Sequence, residues 1–330
     1  MDSTAIQEFY RDVNVFVTGG TGFMGKVLIE KLLRSCPNVG RIFILIRTKK
    51  GQSPEDRKEE LLKCVIFDVL RASSPEFHKK LVVVTGDCSL PKLGISNSDY
   101  EILIQKVNII FHLAATVRFD EKFNIAIPIN IGGTKEIIDL CRACVKLKYC
   151  ISTAYSNCHL KDIEECFYDP PFDIDEDINK FLCTTDEATI EILKPKILGK
   201  WPNTYTFTKS IAENILRTTA ADLPLSIVRP SQVFSTVKEP ICGWIDNLYG
   251  PTGAQIGYFS GFIKTGVRKA SIKINIVPVD LVINSIIAAA YIIGISSENF
   301  YAVHTTHLFL KSKLAICKKK SINLIVDIKI

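Results

Sequence analysis

Two side chains that could move a proton together lie four residues apart in the segment WPNTYTFTKS, residues 201–210. On a helix, Tyr205 and Lys209 would share one face, about one turn apart. A phenol with a pKa of about 10 is a poor proton donor at neutral pH, and a nearby cation lowers that pKa. The pair is either a catalytic acid with its electrostatic helper or an ordinary pair on a solvated helix, because such pairs are common.

A glycine-rich turn stands near the N-terminus, in VTGGTGFMGK (17–26). Gly19, Gly22 and Gly25 form a GxxGxxG pattern between a short apolar run and a helix-like segment. The first glycine permits a tight turn, the second lets the backbone approach a pyrophosphate, and the third allows close packing of helix and strand. The N-terminus of the helix supplies free N–H groups and partial positive charge. The pattern predicts a dinucleotide-binding turn.

The end of the second predicted strand distinguishes between two dinucleotides. Sites for NAD commonly place an Asp or Glu there, which binds the ribose hydroxyls. This sequence has ILIRTKKG (44–51) instead, with Arg47 and two lysines and no carboxylate. Arg47 could grip a 2′-phosphate with paired hydrogen bonds. We therefore expect NADP(H) as cofactor, and the alternative is a solvated basic turn.

Two further strand ends carry residues that suit a dinucleotide. Asp87 ends the third predicted strand, in VTGDCS, at a level suited to an adenine amine. The segment HLAAT (112–116) ends the fourth with small residues, where larger side chains would block a nicotinamide ribose. Together with the glycine turn, these ends predict one binding crevice along the sheet edge.

A hydride-accepting carbonyl also needs a group that orients its oxygen. The segment ISTAYS (151–156) offers Ser152 and Thr153, which precede Tyr205 by about fifty residues. They end the predicted fifth strand, next to the helix that carries the tyrosine. A cofactor turn, a hydroxyl and the Tyr–Lys pair in that order favour the catalytic interpretation of the pair.

The elements that must position these residues alternate along the first two-thirds of the chain. Strands are predicted at 13–20, 41–47, 80–87, 107–115, 148–155 and 225–233, and helices at 23–36, 53–72 and 130–146, with a further helix around Tyr205. Continuous apolar strands separated by helices indicate a parallel sheet covered on both faces. The predicted fold class is α/β, a Rossmann-like doubly wound sheet with a smaller substrate-binding subdomain.

The predicted domain boundaries follow from where this alternation stops. Residues 1–235 form the NADP-binding domain, in which the acidic insertion 158–200 contributes to the substrate side; a solvated acidic loop is an equal alternative. Residues 236–300 supply the substrate-binding subdomain, and 301–330 form an atypical tail.

Composition narrows the class of protein further. The net charge of +6 is spread along 330 residues, which does not suit a nucleic-acid-binding surface. Eleven cysteines without a signal peptide fit free thiols in a reducing compartment. Cys141 and Cys144 lie on the apolar side of a predicted helix, which favours structural thiols over a metal or redox pair, and no metal site is predicted. The apolar run 281–295 is too short to span a bilayer and predicts a buried helix.

Five dispersed segments resemble the eukaryotic fatty acyl-CoA reductases, particularly those of insects, within the extended short-chain dehydrogenase/reductase superfamily. The segments are VFVTGGTGFMGKVLIEKLLRSCP, FHLAATVRFDE, WPNTYTFTKSIAENI, GWIDNLYGPTGA and NIVPVDLVINSIIAAAY. The resemblance implies reduction of a long-chain acyl-CoA by two NADPH, through an aldehyde, to a primary alcohol with release of CoA. It makes Thr153 with Ser152, Tyr205 and Lys209 the catalytic residues.

The same resemblance implies the residues around the cofactor. They are Thr18, Gly19, Thr21, Gly22, Phe23, Gly25, Arg47, Asp87, Ala114, Ala115, Thr116, Asn130, Tyr205, Lys209, Pro230 and Val233. A channel for the acyl tail could come from 235–265, with Trp244, Tyr249, Tyr258 and Phe259, or these aromatic residues could be plain core.

The tail from 296 to 330 does not resemble the continuation of that family, which is helical and often carries membrane-anchoring segments. We therefore expect a C-terminally truncated form. The resemblance implies an intracellular location at the endoplasmic reticulum or peroxisome membrane, and otherwise the cytoplasm. The rival functions are another extended short-chain reductase or epimerase, for which no UDP-binding loop is found, and an inactive NADP-binding protein.

Overall fold

The structure is a computed structural model. It describes residues 3–49, 51–145, 147, 154–160, 163–170, 182–267, 269, 271 and 275–295, and it places three further strands at 300–304, 313–316 and 324–327. Ser152 and Thr153, together with most of the predicted fifth strand, lie outside the described residues.

The strands are β1 Val15–Thr18, β2 Ile42–Ile46, β3 Leu81–Thr85, β4 Ile109–His112, β5 Leu225–Arg229, β6 Gln232–Phe234, β7 Ile276–Pro278, β8 Phe300–His304, β9 Lys313–Ile316 and β10 Leu324–Asp327. The helices are α1 Ala5–Phe9, α2 Phe23–Ser35, α3 Pro54–Lys63, α4 Asp68–Ser73, α5 Asn97–Lys106, α6 Phe123–Ala126, α7 Gly133–Ala143, α8 Glu187–Leu198, α9 Thr204–Thr219, α10 Pro251–Phe259 and α11 Val279–Ile295. A π-helical segment, Ile127–Gly132, joins α6 to α7.

The central sheet has the strand order β3-β2-β1-β4, and all its pairs are parallel. The order reverses between β1 and β4, because β2 and β3 extend to one side of β1 and β4 lies on the other. In such sheets ligands bind beyond the carboxyl ends of the strands at this reversal. Further parallel pairs join β5 to β8 and β6 to β7. The predicted parallel α/β architecture is confirmed.

Both faces of the sheet are buried, which explains why its strands are apolar except for Thr18, Thr85 and His112 at their carboxyl ends. On β1, Val15 and Val17 pack into one core with α2 and α11, and Phe16 packs into a second core with α5 and α7. Ile44 and Phe43 divide between the two cores in the same way on β2. The continuous apolar pattern therefore follows from helices on both sides of the sheet.

Three element predictions need correction. The predicted helix at 53–72 divides into α3 and α4, because Cys64 is extended and lets Ile66 and Phe67 turn into the core. The predicted strand at 225–233 divides into β5 and β6, because Pro230 has no N–H to continue a ladder. The predicted fifth strand does not reach 155, since Ala154–Asn157 is a 3₁₀ turn.

The apolar run near residue 290 is a buried helix, as predicted. In α11 the side chains of Val282, Ile283, Ile286 and Ile287 are buried against α2, and Tyr10 of α1 donates a hydrogen bond from Oη to the carbonyl of Ile287 at 3.0 Å. Across the described part of the chain, no helix combines the length and the apolar character that a membrane crossing needs.

Candidate active site

The glycine turn lies where the strand order reverses. Gly19 has a positive φ of 72°, and a Cβ on it would lie 2.7 Å from the backbone nitrogen of Ala114, just beyond β4. A Cβ on Gly25 would lie 2.3 Å from the carbonyl oxygen of Gly19. Both positions therefore require glycine. Gly19 allows the turn after β1 to contact the loop after β4, and Gly25 allows α2 to pack closely against the turn.

The start of α2 is open to a ligand. Gly22 is the N-cap residue and has no side chain, so no side-chain cap occupies the first N–H groups of the helix. Gly22 is exposed, whereas Gly25 is buried. Free N–H groups and the positive end of the helix dipole suit a pyrophosphate, so the turn fits a dinucleotide.

Below the turn, Thr18 and His112 brace the ends of β1 and β4. Their side chains are joined by a 2.7 Å hydrogen bond between Oγ1 and Nδ1, and the amide of Ala114 donates to the same Oγ1 at 3.3 Å. Thr18 is fully buried. Its hydroxyl therefore holds the crevice together, and any contact with a cofactor would come from its backbone.

Tyr205 and Lys209 lie on the first two turns of α9, where only 6% and 4% of their surfaces are exposed. The helix begins at Asn203, whose Oδ1 accepts a hydrogen bond from the amide of Thr206 at 2.9 Å. The cap fixes where the helix starts and hence which side chains face the sheet. The burial of Tyr205 and Lys209 rules out the alternative of a solvated surface pair.

The Lys209 ammonium lies in a desolvated position. Burial lowers the pKa of Lys209 to about 8, and the carboxylate of Glu213, one turn further along, opposes that shift. Burial, with the Lys209 cation, lowers the pKa of His112 to about 3, so this imidazole is neutral. At neutral pH, Lys209 is therefore the cation in this group, placed one turn from the phenol.

Glu213 belongs to a buried network that the sequence analysis did not identify. Its carboxylate receives two hydrogen bonds from the guanidinium of Arg229, at the end of β5, and one from the Ser156 hydroxyl at 2.5 Å. Arg229, fully buried, also donates to the carbonyls of Glu164 and Cys166 at 3.0 and 2.9 Å. The network ties α9 to β5 and to the segment that follows Ser152 and Thr153.

Asn130, in the π-helical segment, joins the end of β4 to α9. Its Oδ1 accepts from the amide of Thr116 at 3.0 Å, and its Nδ2 donates to the carbonyl of Thr116 at 3.3 Å and to Thr208 Oγ1 at 3.0 Å. Asn130 is buried. It therefore fixes the distance between the loop after β4 and the helix of Tyr205.

Two arginines meet at the carboxyl end of β2. Arg47 is exposed and lies 3.6 Å from Asp87, measured between Nη1 and Oδ2. Arg57 of α3 donates to the carbonyl of Arg47 at 2.7 Å and to the Thr21 hydroxyl of the glycine turn at 3.1 Å. Burial first, and the neighbouring Arg47 cation second, lower the pKa of Arg57. Two adjacent guanidinium groups beside the turn form a candidate phosphate site.

Asp87 takes part in its own loop as well as facing Arg47. Its Oδ1 accepts from both the amide and the hydroxyl of Ser89, each at 2.9 Å. Of the other predicted cofactor residues, Ala115 is half-buried after β4, Pro230 is buried and Val233 is half-buried on β6. Phe23 stacks on Trp244 with ring centroids 5.6 Å apart.

The aromatic residues predicted for an acyl channel separate into two groups. Trp244 is buried, whereas Tyr249, Tyr258 and Phe259 are exposed. Phe119, also exposed, lies beside Tyr205 with ring centroids 6.1 Å apart. Within the described residues, the exposed members do not enclose a channel, and the channel stays a prediction.

The acidic insertion is partly packed against the site. Leu182, Ile190 and Leu198 are buried in a cluster with Trp201 and with Phe207 of α9. Trp201 also donates from Nε1 to the carbonyl of Ser156 at 2.7 Å. Residues 182–200 are therefore not a solvated loop.

The structure thus brings together the glycine turn, the loop after β4, Asn130 and α9, the helix that carries Tyr205 and Lys209. The roles of these residues at a cofactor stay a prediction. Sequence reasoning missed Arg57, Glu213 and Arg229. Glu213 could have been found, because it follows Lys209 by four residues and so falls on the same helix face. Arg229 could have been found as a lone charge inside the apolar run LSIVRP.

The sequence profile of the male sterility protein family, a family of NAD-binding domains, matches residues 17–286. The chain belongs to this family. The match extends from β1 into α11 and therefore includes the glycine turn, the loop after β4 and the Tyr–Lys pair. It indicates a nicotinamide cofactor for the crevice described above.

Known proteins agree with that assignment. The chain is 45% identical over 292 residues to fatty acyl-CoA reductase wat of Drosophila melanogaster, which covers 88% of this chain and 56% of the relative. It is 42% identical over 294 residues to fatty acyl-CoA reductase 1 of Homo sapiens, covering 88% and 57%. The resemblance to fatty acyl-CoA reductases is therefore confirmed, and the chain spans little more than half the length of these relatives.

Among solved structures, the terminal R domain of the myxalamid PKS-NRPS biosynthetic pathway superposes with a TM-score of 0.64. The two chains are 21% identical, and the match covers 89% of this chain and 66% of that one. At this identity the likeness concerns the fold alone. It confirms the Rossmann-like α/β fold.

Proposed function

We propose that this chain is the catalytic portion of an NADPH-dependent, alcohol-forming fatty acyl-CoA reductase. The observation that carries the proposal is the burial of Tyr205 and Lys209 on α9, which Asn130 links to the loop after β4 that contacts the glycine turn. The names of the two fatty acyl-CoA reductase relatives support the substrate class. The overall reaction consumes two NADPH, reduces the thioester through an aldehyde to a primary alcohol, and releases CoA.

When bound, the nicotinamide supplies the hydride. Tyr205 donates the proton to the oxygen of the substrate carbonyl after it has gained charge, and the phenol also stabilises that charge by hydrogen bonding. Lys209, which is cationic at neutral pH, would favour proton transfer from the phenol through its positive field and would bind the ribose hydroxyls of the cofactor. Thr153, with Ser152, is proposed from the sequence to orient the carbonyl; both lie outside the described residues.

The proposed preference for NADP(H) rests on the two guanidinium groups at the end of β2. Arg47 and Arg57 would share the 2′-phosphate, while Thr21, which Arg57 contacts, and the uncapped start of α2 would face the pyrophosphate. Arg57 is half-buried, so it gains more from an anion than a fully solvated guanidinium does, because water competes less for it.

The assay that tests this function incubates the protein with NADPH and hexadecanoyl-CoA and measures NADPH consumption, free CoA and hexadecanol by mass spectrometry. We expect two NADPH consumed for each CoA and each alcohol. NADPH binding without any CoA or alcohol would contradict the proposal and favour an inactive NADP-binding protein.

The first prediction concerns cofactor choice. Arg57→Gln and Arg47→Gln should each raise the Kd for NADPH about tenfold, because each removes a charge-assisted contact to the 2′-phosphate. The Kd for NADH, which has no such phosphate, should stay nearly unchanged. Arg11→Gln, which alters an exposed guanidinium paired with Glu8, is the control. Equal losses for NADPH and NADH would contradict a 2′-phosphate site.

A further inference from the structure

An exposed aromatic surface lies at the end of α10, away from the catalytic pair in sequence. Phe259 and Phe262 are 90% and 89% exposed, and Val267 nearby is fully exposed. Large apolar side chains placed together in water mark an interaction surface more often than a random feature of a protein surface.

The backbone holds this surface in shape. The amide of Ser260 donates to the carbonyl of Ile256 at 2.8 Å, and the amide of Ile263 donates to the carbonyl of Gly257 at 2.8 Å. Gly261 takes a positive φ of 74°, which reverses the chain after the helix. Ile263 folds back onto Gly257, where a Cβ would meet its side chain at 2.6 Å. Ile263 therefore packs inward, while the two phenylalanines point outward.

Positive charge accompanies the aromatic residues. Lys264 and Lys269 are exposed, and the sequence from 251 to 275 contains four basic residues and no acidic one. Aromatic side chains beside lysines suit the boundary of a lipid bilayer, where rings enter the acyl region and ammonium groups meet anionic headgroups. A neutral apolar partner would not require this one-signed charge.

The surface is connected to the site by a short path. Gly250, directly before α10, lies against the side chain of Gln232 on β6, the strand that carries Val233. The nine residues of α10 span about 13 Å, so the aromatic surface lies about one short helix from β6.

We propose that Phe259, Phe262, Lys264 and Lys269 form a docking surface for an anionic phospholipid bilayer. This surface attaches the chain peripherally and does not depend on a membrane-spanning segment. It also does not depend on the reduction proposed above, because lipid binding is measured without any turnover.

The test is flotation of the 330-residue protein with vesicles of phosphatidylcholine, alone or with about one-third phosphatidylserine. We expect binding to the anionic vesicles to be about tenfold stronger than to the neutral ones and to weaken with added salt. Lys264→Gln with Lys269→Gln should weaken binding to the anionic vesicles several-fold and leave binding to the neutral vesicles unchanged. Phe259→Ser with Phe262→Ser should weaken binding to both vesicles about tenfold.

Ile192→Ser, which removes an exposed apolar side chain from α8, is the matched control and should bind as the unaltered protein does. All five altered positions are exposed, so unchanged thermal midpoints are expected for every variant. The proposal is overturned if the unaltered protein does not float with anionic vesicles. It is equally overturned if the double lysine variant and the double phenylalanine variant float as well as the unaltered protein. It is also overturned if light scattering shows a dimer that the double phenylalanine variant abolishes, since that assigns the surface to a second copy.

Discussion

Tyr205→Phe should lower turnover of acyl-CoA by about 10²–10⁴-fold while leaving the affinity for NADPH nearly unchanged. The variant removes only the hydroxyl, and with it the proton donor, while the ring keeps its buried place beside Phe119. The measurement is a comparison of kcat for alcohol formation with the Kd for NADPH from fluorescence titration.

Tyr249→Phe is the control for this substitution, because Tyr249 is exposed and the change keeps the aromatic ring that an acyl channel would use. It should turn over at the rate of the unaltered protein. If Tyr205→Phe keeps the unaltered rate, the phenol is not the proton donor. If both kcat and NADPH affinity collapse, the hydroxyl supports the cofactor crevice instead of the proton transfer.

The second large effect concerns stability. Arg229→Met should lower the free energy of unfolding by about 3–5 kcal/mol, because it leaves the buried carboxylate of Glu213 without its ion-pair partner. Glu213→Gln should be similarly costly, since it removes the carboxylate that pairs with the fully buried guanidinium. Chemical denaturation followed by circular dichroism measures both changes.

The double variant Glu213→Gln with Arg229→Met separates the pair from its two members. Because neither charge remains, it should be clearly more stable than either single variant. Arg11→Met, in an exposed pair with Glu8, should leave the denaturation midpoint in place. Losses that simply add in the double variant would contradict a direct buried interaction.

Much of the fold could be predicted because both faces of the sheet are covered. Strands such as Ile42–Ile46 are apolar at every position for that reason, and the glycine turn after β1 fixes where the first helix begins. The helix α5 was missed, although Ser96 caps it through the amide of Asp99, because its pattern is only weakly amphipathic. The break at Cys64 was missed because it depends on the core that Ile66 and Phe67 enter.

The site was predictable where chemistry follows local spacing. Tyr205 and Lys209 are four residues apart, and Gly19 to Gly25 form one turn, so the sequence alone places them. Arg57 was not predictable, because its contact with Thr21 brings the first turns of α3 to a loop more than thirty residues away. The partnership of Glu213 with Arg229 likewise needs the fold, since it joins a helix to the following strand.

The domain boundaries stay a prediction, as do the roles of Ser152 and Thr153 and the location in the cell. The packing of 182–200 against α9 fixes this part of the insertion to the helix of Tyr205, and its substrate-side role stays a prediction. This packing does not define a boundary between residues 182–200 and the cofactor domain. The buried residues of 182–200 share one hydrophobic cluster with Trp201 and with Phe207 of α9.

The central claim, two hydride transfers to one acyl carbon, is tested most directly with NADPH that carries deuterium at the transferred position. The protein is incubated with this cofactor and hexadecanoyl-CoA, and the products are analysed by mass spectrometry. The account predicts hexadecanol with two deuterium atoms on C1, together with free CoA. Unlabelled products, or an acyl-CoA left intact while labelled NADPH remains bound, would contradict it.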